Sequence, residues 1–375
     1  MKKNSFLIFG NYGAKNFGDE LVLKGIIEIL KNSGISEEQM RVLSADPVET
    51  QKLFGINSYY VFPTGFKSLF RFTLLKTLKF YRQSGCVLFG GGTLFTDENP
   101  KTIWISGIQI LPAVLMRKKI ICFGQGVGPI RGTVSKRFVK WLFNRFSSIL
   151  VRDEESRQNL ESIGVTKKIQ IVPDPALFLE TEKKIAENNK SPKEVLFSLR
   201  EWPLQPENFT DQMAAFASWI YQKHNLQSHL LVFGQRDGDK KLAESIAHKI
   251  HDYRAPVTEV TMTNYRDLFS RGLSAVNCRF HANILSFMAG IPSLGIPYET
   301  KIKNLYNIFG VNELIIESFD LDSLKKQFDH LLGNSQTISE LLLKKGKTLH
   351  RQTLSVYKQH LTEENFKTEK TKTEK

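Results

Sequence analysis

Residues 9–23 read FGNYGAKNFGDELVL, and residues 279–301 read RFHANILSFMAGIPSLGIPYETK. The first stretch passes from an apolar strand through a glycine-studded turn into a helix that opens on Asp19 and Glu20. The second carries Arg279 and His281 together, with Lys301 just beyond. Each reads as a strand-to-helix junction, and the two are far apart in the chain. Helix starts present free backbone N–H groups and the positive end of a dipole; the second junction adds cations. Together they predict a cleft between two α/β halves, suited to a small, multiply charged anion.

Outward from these junctions, short apolar runs alternate with amphipathic segments of helical length. Residues 5–10, 85–90, 119–124, 148–152 and 168–172 read as buried strands, with helices at 20–31, 134–146 and 154–163. A second series of strands follows at 194–200, 229–234, 257–260, 273–277 and 293–296, with helices at 213–223, 239–251, 265–271 and 282–289. This pattern predicts an α/β fold of two parallel sheets with helices on their faces. A chain of 375 residues suits two domains. The expected division is an N-terminal domain at 1–180, a polar linker at 181–192, a C-terminal domain at 193–334, a long helix at 335–361 and a disordered tail at 362–375.

Three glycine-rich turns follow predicted strands, at 10–19, 90–93 and 124–129. Three consecutive glycines are costly to order, and make sense where backbone must approach a ligand closely. Asn16, Gly18, Gly91, Gly92, Thr93, Gln125 and Gly126 are therefore candidate binding positions. Neither the dinucleotide G-x-G-x-x-G fingerprint nor a Walker lysine is present. Arg152, Arg200, Arg279 and Lys301 fall at or just beyond predicted strand ends. The planar guanidinium fork suits both phosphate and carboxylate. His281, beside these cations, is of the residue type that exchanges protons near neutral pH.

A net charge of +14 favours anionic partners, but no dense Lys/Arg block marks a nucleic-acid arm, and no nucleic acid is expected. Cys86, Cys122 and Cys278 lie in or beside apolar runs and form no metal-type pair; buried, reduced thiols are expected. The apolar run after Lys2 and Lys3 is too short for a signal peptide, and no window is long enough to span a bilayer, so a cytoplasmic location is expected. Residues 66–82, FKSLFRFTLLKTLKFYR, place an apolar stripe at helical spacing between basic residues. That stripe could pack on the core or lie on an anionic membrane surface.

The sequence resembles the polysaccharide pyruvyl transferases. The matching pieces are NYGAKNFGDELVLKG, FGGGTLFTD, GQGVGPI, VRDEES followed by LESIGV, VPDPAL, SLREW and the 279–301 stretch, in family order. The resemblance implies two Rossmann-like domains facing across a cleft, as in glycosyltransferase-B folds, the first serving the acceptor and the second the donor. It implies transfer of a pyruvyl group from phosphoenolpyruvate to a sugar, free or lipid-linked, forming a ketal and releasing phosphate. The family's motif positions carry over onto Asn16, Asp19, Arg152, Arg200, His281 and Lys301. His281 and Asp19 are the expected catalytic groups; no metal or other cofactor is expected. Two alternatives are a transferase of the same fold using a nucleotide sugar, and a non-catalytic member of a polysaccharide assembly complex. The acceptor sugar and the oligomeric state are not written in the sequence.

Overall fold

The computed structural model describes residues 5–61, 74–97, 100–179, 194–234 and 238–361. These form two compact units. The first comprises 5–14, 19–179 and 350–361, and the second comprises 15–18 and 194–349, within those described stretches. The expected linker at 181–192, the tail at 362–375 and residues 66–73 of the basic segment lie outside the described residues.

In the first unit the strands are β1 (Phe6–Phe9), β2 (Met40–Ser44), β3 (Ser58–Tyr60), β4 (Cys86–Phe89), β5 (Thr93–Phe95), β6 (Lys119–Val127), β7 (Ser148–Val151) and β8 (Ile169–Ile171). Their order is β3-β2-β1-β4-β6-β7-β8, with β5 against β6, and every pairing is parallel. The second unit holds β9 (Glu194–Ser198), β10 (Gln227–Val232), β11 (Val257–Glu259), β12 (Gly272–Asn277) and β13 (Ser293–Gly295). Their order is β11-β10-β9-β12-β13, again all parallel. Each sheet is doubly wound from its first strand, as in Rossmann-like domains. The winding reverses between β1 and β4 in one unit, and between β9 and β12 in the other. In such sheets ligands bind beyond the carboxyl ends of the strands at this reversal.

Burial explains the apolar runs. β1 and β4 are buried along their whole length, because helices cover both faces of a parallel sheet. Phe9 stacks on Phe89 across them, at 5.4 Å between centroids. Leu7, Val87, Cys122 and Val151 join the same core. Leu196, Phe197, Leu231, Val276 and Leu294 are the buried counterparts in the second unit. All three cysteines are buried and free.

Several boundaries differ from expectation. β2 and β3 escape the sequence pattern, since one carries Arg41 and the other has three residues. The first helix begins at Phe17, three residues before the expected start at 20, and Asp19 and Glu20 lie in its first turn. The glycines at 90–92 lead directly into β5, a strand the sequence pattern did not show. Of the expected turn at 124–129, residues 124–127 are strand: β6 continues through them with a register shift at Gly124, whose φ is 69°. In the described part of the basic segment, the helix Leu74–Gln83 buries Tyr81, whose hydroxyl donates to the carbonyl of Gln109. The closing helix, Ser335–Leu361, counts with the second unit to Leu349 and with the first from His350.

Candidate functional site

The candidate residues separate into two groups. In the first unit, the turn after β1 and the glycines after β4 lie on either side of the winding reversal. Tyr12 joins them: it is buried, and its hydroxyl donates to the carbonyl of Gly90 at 2.8 Å. Asn11 Nδ2 donates to Asp19 Oδ2 at 2.8 Å. A Cβ on Gly92 would lie 2.7 Å from Asp19 Oδ1, and the φ of Gly92 is 63°, so both space and backbone require glycine there. The Gly13 N–H donates to Glu20 Oε1 at 2.6 Å. Burial, then the charges of Asp19 and Glu49, push the Glu20 carboxyl up to about 7 against the pull of that bond.

Gln125, Gly126 and Arg152 face inward. Gln125 Nε2 donates to the carbonyls of Gly92 and Gly126, and the Gly126 N–H donates to the Gly92 carbonyl at 3.1 Å. These groups hold the glycine turn in place. Arg152 is buried; its Nη2 donates to Thr93 Oγ1 at 2.9 Å, its Nε to Asp153 Oδ2 at 3.2 Å, and Nη1 lies 3.8 Å from Asp174 Oδ2. Two carboxylates thus offset its charge.

The second unit gathers Asn16, Gly18, Arg200, Arg279, His281 and Lys301. The chain at 15–18 docks on this unit. Asn16 bridges Gly234, the Phe17 N–H donates to the Phe233 carbonyl at 3.3 Å, and the Phe17 ring packs on Phe233 and Tyr265. The Gly18 N–H donates to Asn16 Oδ1 at 3.2 Å. A Cβ at Gly18 would collide with His281 Nδ1, so glycine admits the imidazole. Asn16 and Gly18, which sequence position assigns to the N-terminal domain, therefore serve the unit that carries the histidine.

β9 and β12 end together, the Cys278 N–H donating to the Ser198 carbonyl at 2.7 Å. Arg279 follows, as N-cap of the helix Phe280–Met288. That helix is fixed beneath it by a buried polar network. Tyr306 donates to Asn283 Oδ1 at 2.7 Å, and Asn277 Nδ2 reaches Ser286 and Ser293 at 3.0 Å each. Arg279 places Nε 2.8 Å and Nη2 2.5 Å from Oδ2 of buried Asp239. Arg200 donates to the Tyr298 hydroxyl at 2.9 Å, its guanidinium 4.8 Å from that ring, and lies 3.9 Å from Glu299 Oε1. Lys301 pairs with Glu299 Oε2. Burial raises the Glu299 carboxyl, but Lys301, Tyr298 and Arg200 outweigh it and hold the group below its ordinary value, so Glu299 is ionised at neutral pH. Burial pushes the Tyr298 hydroxyl up, with Glu299 adding to it and Arg200 and Arg279 opposing. Three cations thus converge around Tyr298, and two carboxylates leave the group with one net positive charge.

Tyr12, Glu20, Asp239, Tyr298 and Glu299 were missed by the sequence reading. Glu20 and Glu299 adjoin candidate residues, which is a local signal. Asp239 stands forty positions before Arg279, and nothing local marks that pairing.

Two sheets of this order define a class, the two-domain Rossmann-like proteins of glycosyltransferase-B type. Solved structures agree with it. Anabaena Alr3699/HepE, in complex with UDP and glucose, matches with a TM-score of 0.61 over 96% of this chain and 98% of that one, at 13% identity. A glycosyltransferase from Rickettsia africae matches with a TM-score of 0.63 over 98% and 100%, at 12% identity. At such identities the likeness shows fold alone. The chain belongs to the polysaccharide pyruvyl transferase family, whose model matches residues 16–300. The amylovoran biosynthesis protein AmsJ of Erwinia amylovora is 22% identical over 287 residues, 69% of this chain and 68% of that protein. Family membership makes this chain a transferase of polysaccharide biosynthesis.

Proposed function

We propose that this protein transfers the pyruvyl group of phosphoenolpyruvate to two hydroxyls of one sugar, in a cell-surface polysaccharide or its lipid-linked precursor, with release of phosphate. The observation that carries the reading is the convergence of Arg200, Arg279 and Lys301 at the end of β9 and β12, within a chain of this family. Phosphoenolpyruvate has a carboxylate and a phosphate, and clustered cations suit both.

In this reading His281 delivers a proton to the methylene carbon, which places oxocarbenium character on the central carbon. A sugar hydroxyl adds there and gives up its proton, phosphate leaves, and the second hydroxyl closes the ketal as its proton passes to His281, restoring the imidazolium. Arg200 and Lys301 stabilise the departing phosphate as its C–O bond breaks. Arg279, held on Asp239, orients the start of the histidine helix. Asp19 takes the proton of the acceptor hydroxyl. Arg152, neutralised by two carboxylates, acts as a brace for Thr93 and the glycine turn.

The second reading is a transferase using a nucleotide sugar; it draws on fold likeness to proteins such as the UDP-bound Anabaena structure. Thermal stabilisation separates the two. Phosphoenolpyruvate at about 100 times its Kd stabilises a specific binder by about 2.7 kcal/mol. Stabilisation by UDP-sugars with none by phosphoenolpyruvate would overturn the pyruvyl reading. Phosphate release on incubation with phosphoenolpyruvate and candidate glycans then tests the transfer itself.

A further inference from the structure

The helices Pro100–Leu115 and Thr133–Phe143 of the first unit carry an apolar face that points to solvent. On the first, Ile103, Ile110 and Ala113 are buried, while Trp104, Ile105, Ile108 and Leu115 form an exposed stripe at helical spacing. Leu115 is 72% exposed and Ile105 44%, on a helix with no charged residue other than Lys101. On the second helix Val139, Leu142 and Phe143 face inward and Val134 and Trp141 outward. Trp104 stacks on Phe138 at 4.9 Å, and Phe138 on Trp141 at 6.2 Å, so one aromatic row joins the two helices. Cations share this surface: Lys136, Arg137 and Lys140 are exposed on the second helix, and the Arg145 guanidinium lies 4.1 Å from the Trp141 ring. No Asp or Glu occurs between Glu98 and Asp153, against ten Lys and Arg.

We propose that this face docks on an anionic lipid bilayer. Tryptophan and aliphatic side chains enter the headgroup boundary, and the surrounding Lys and Arg meet acidic headgroups. Charge complementarity selects this occupant. A second copy in an isologous contact would set the same cations against one another. Residues 62–73, which carry Lys67 and Arg71 and no acid, supply no complementary charge either. A nucleic acid has no use for the aliphatic stripe of Ile105, Ile108 and Leu115. The surface differs from residues 66–82, singled out by sequence pattern. It is independent of the donor chemistry.

The test is flotation of the full chain with phosphatidylcholine vesicles, with and without about one third phosphatidylglycerol. Binding is expected only to the anionic vesicles, weakening as salt rises. Lys136→Glu with Lys140→Glu should lower it at least about tenfold, and Ile105→Ser with Ile108→Ser should lower it at unchanged salt sensitivity. Lys344→Glu with Lys345→Glu, an equal charge change on exposed positions of the second unit, should leave it intact. Unaltered melting checks that each variant folds. Absence of vesicle binding, equal loss from both charge-reversed pairs, or sedimentation as a dimer abolished by the isoleucine substitutions would overturn the proposal. Activity on a soluble acceptor is expected to be unchanged in the Lys136/Lys140 variant, so failure here and failure of the pyruvyl reading are told apart.

Discussion

A single missing methyl group sets the position of His281. Because a Cβ at Gly18 collides with the imidazole, Gly18→Ala should turn the ring away from its place while leaving the sheet intact. The expected outcome is a fall in kcat of at least about tenfold with an unchanged melting temperature. His281→Ala should lower turnover at least about 100-fold, the scale of one proton-transfer group. Steady-state kinetics checks both, and wild-type turnover by the histidine variant removes that residue from the mechanism. Glu20 makes a separate prediction. Its folded-state value is raised from 4.5 to about 7, so the native state holds a proton that the unfolded chain has lost. The associated stability is complete below pH 4.5 and is lost as pH rises through about 7, by an upper bound of about 3 kcal/mol. Glu20→Gln, which keeps an acceptor for the Gly13 N–H, should flatten that loss in denaturant titrations at a series of pH values. An identical pH slope in the variant would place the titration elsewhere.

At the scale of the element, β6 and the end of the closing helix act as one device. Gly124 breaks the register of β6 with a left-handed φ, and the space where its Cβ would stand is filled by the Tyr357 hydroxyl and Pro175. Tyr357 is fully buried, stacks on Phe123 at 4.1 Å and donates to the Pro173 carbonyl at 2.9 Å. Tyr357→Ala should cost about 3–5 kcal/mol, the usual range for deleting a buried aromatic ring. Gly124→Ala should cost at least about 2 kcal/mol, through both strain and overpacking. Urea denaturation measures both. A loss under about 1 kcal/mol for Tyr357→Ala would show that the helix end contributes little. The sequence pattern captured the helix at 335–361 and the start of β6, because periodicity is local. It took 124–129 for a turn, of which 124–127 is strand, since glycine in a bulged strand and glycine in a turn look the same in one dimension.

For the whole molecule, charge and fold point the same way. A net charge of +14 raises the local concentration of anions. The cationic group around Tyr298, by contrast, is nearly balanced by Asp239 and Glu299. In the pyruvyl reading, phosphoenolpyruvate binding should therefore weaken with added salt, through screening of the half-buried Arg200 and Lys301, yet survive where purely diffuse attraction fails. Isothermal titration at two ionic strengths measures this. Binding that vanishes at moderate salt would indicate general attraction rather than a site. Glu299→Gln, by removing the carboxylate shared between Arg200 and Lys301, should tighten phosphoenolpyruvate binding by several-fold.

The amino-acid sequence by itself determined the class of fold, because continuous apolar runs between amphipathic segments can be buried only as a parallel sheet between helices. It also determined which residue types were available: the glycines, the arginines and His281. Only the tertiary structure decided their state. Asp239 reaches Arg279, Asp174 reaches Arg152, and residues 15–18 leave their sequence neighbours for the second unit. Side-chain pairing depends on distance in space, and segments far apart in the chain acquire that distance only when the sheets have packed.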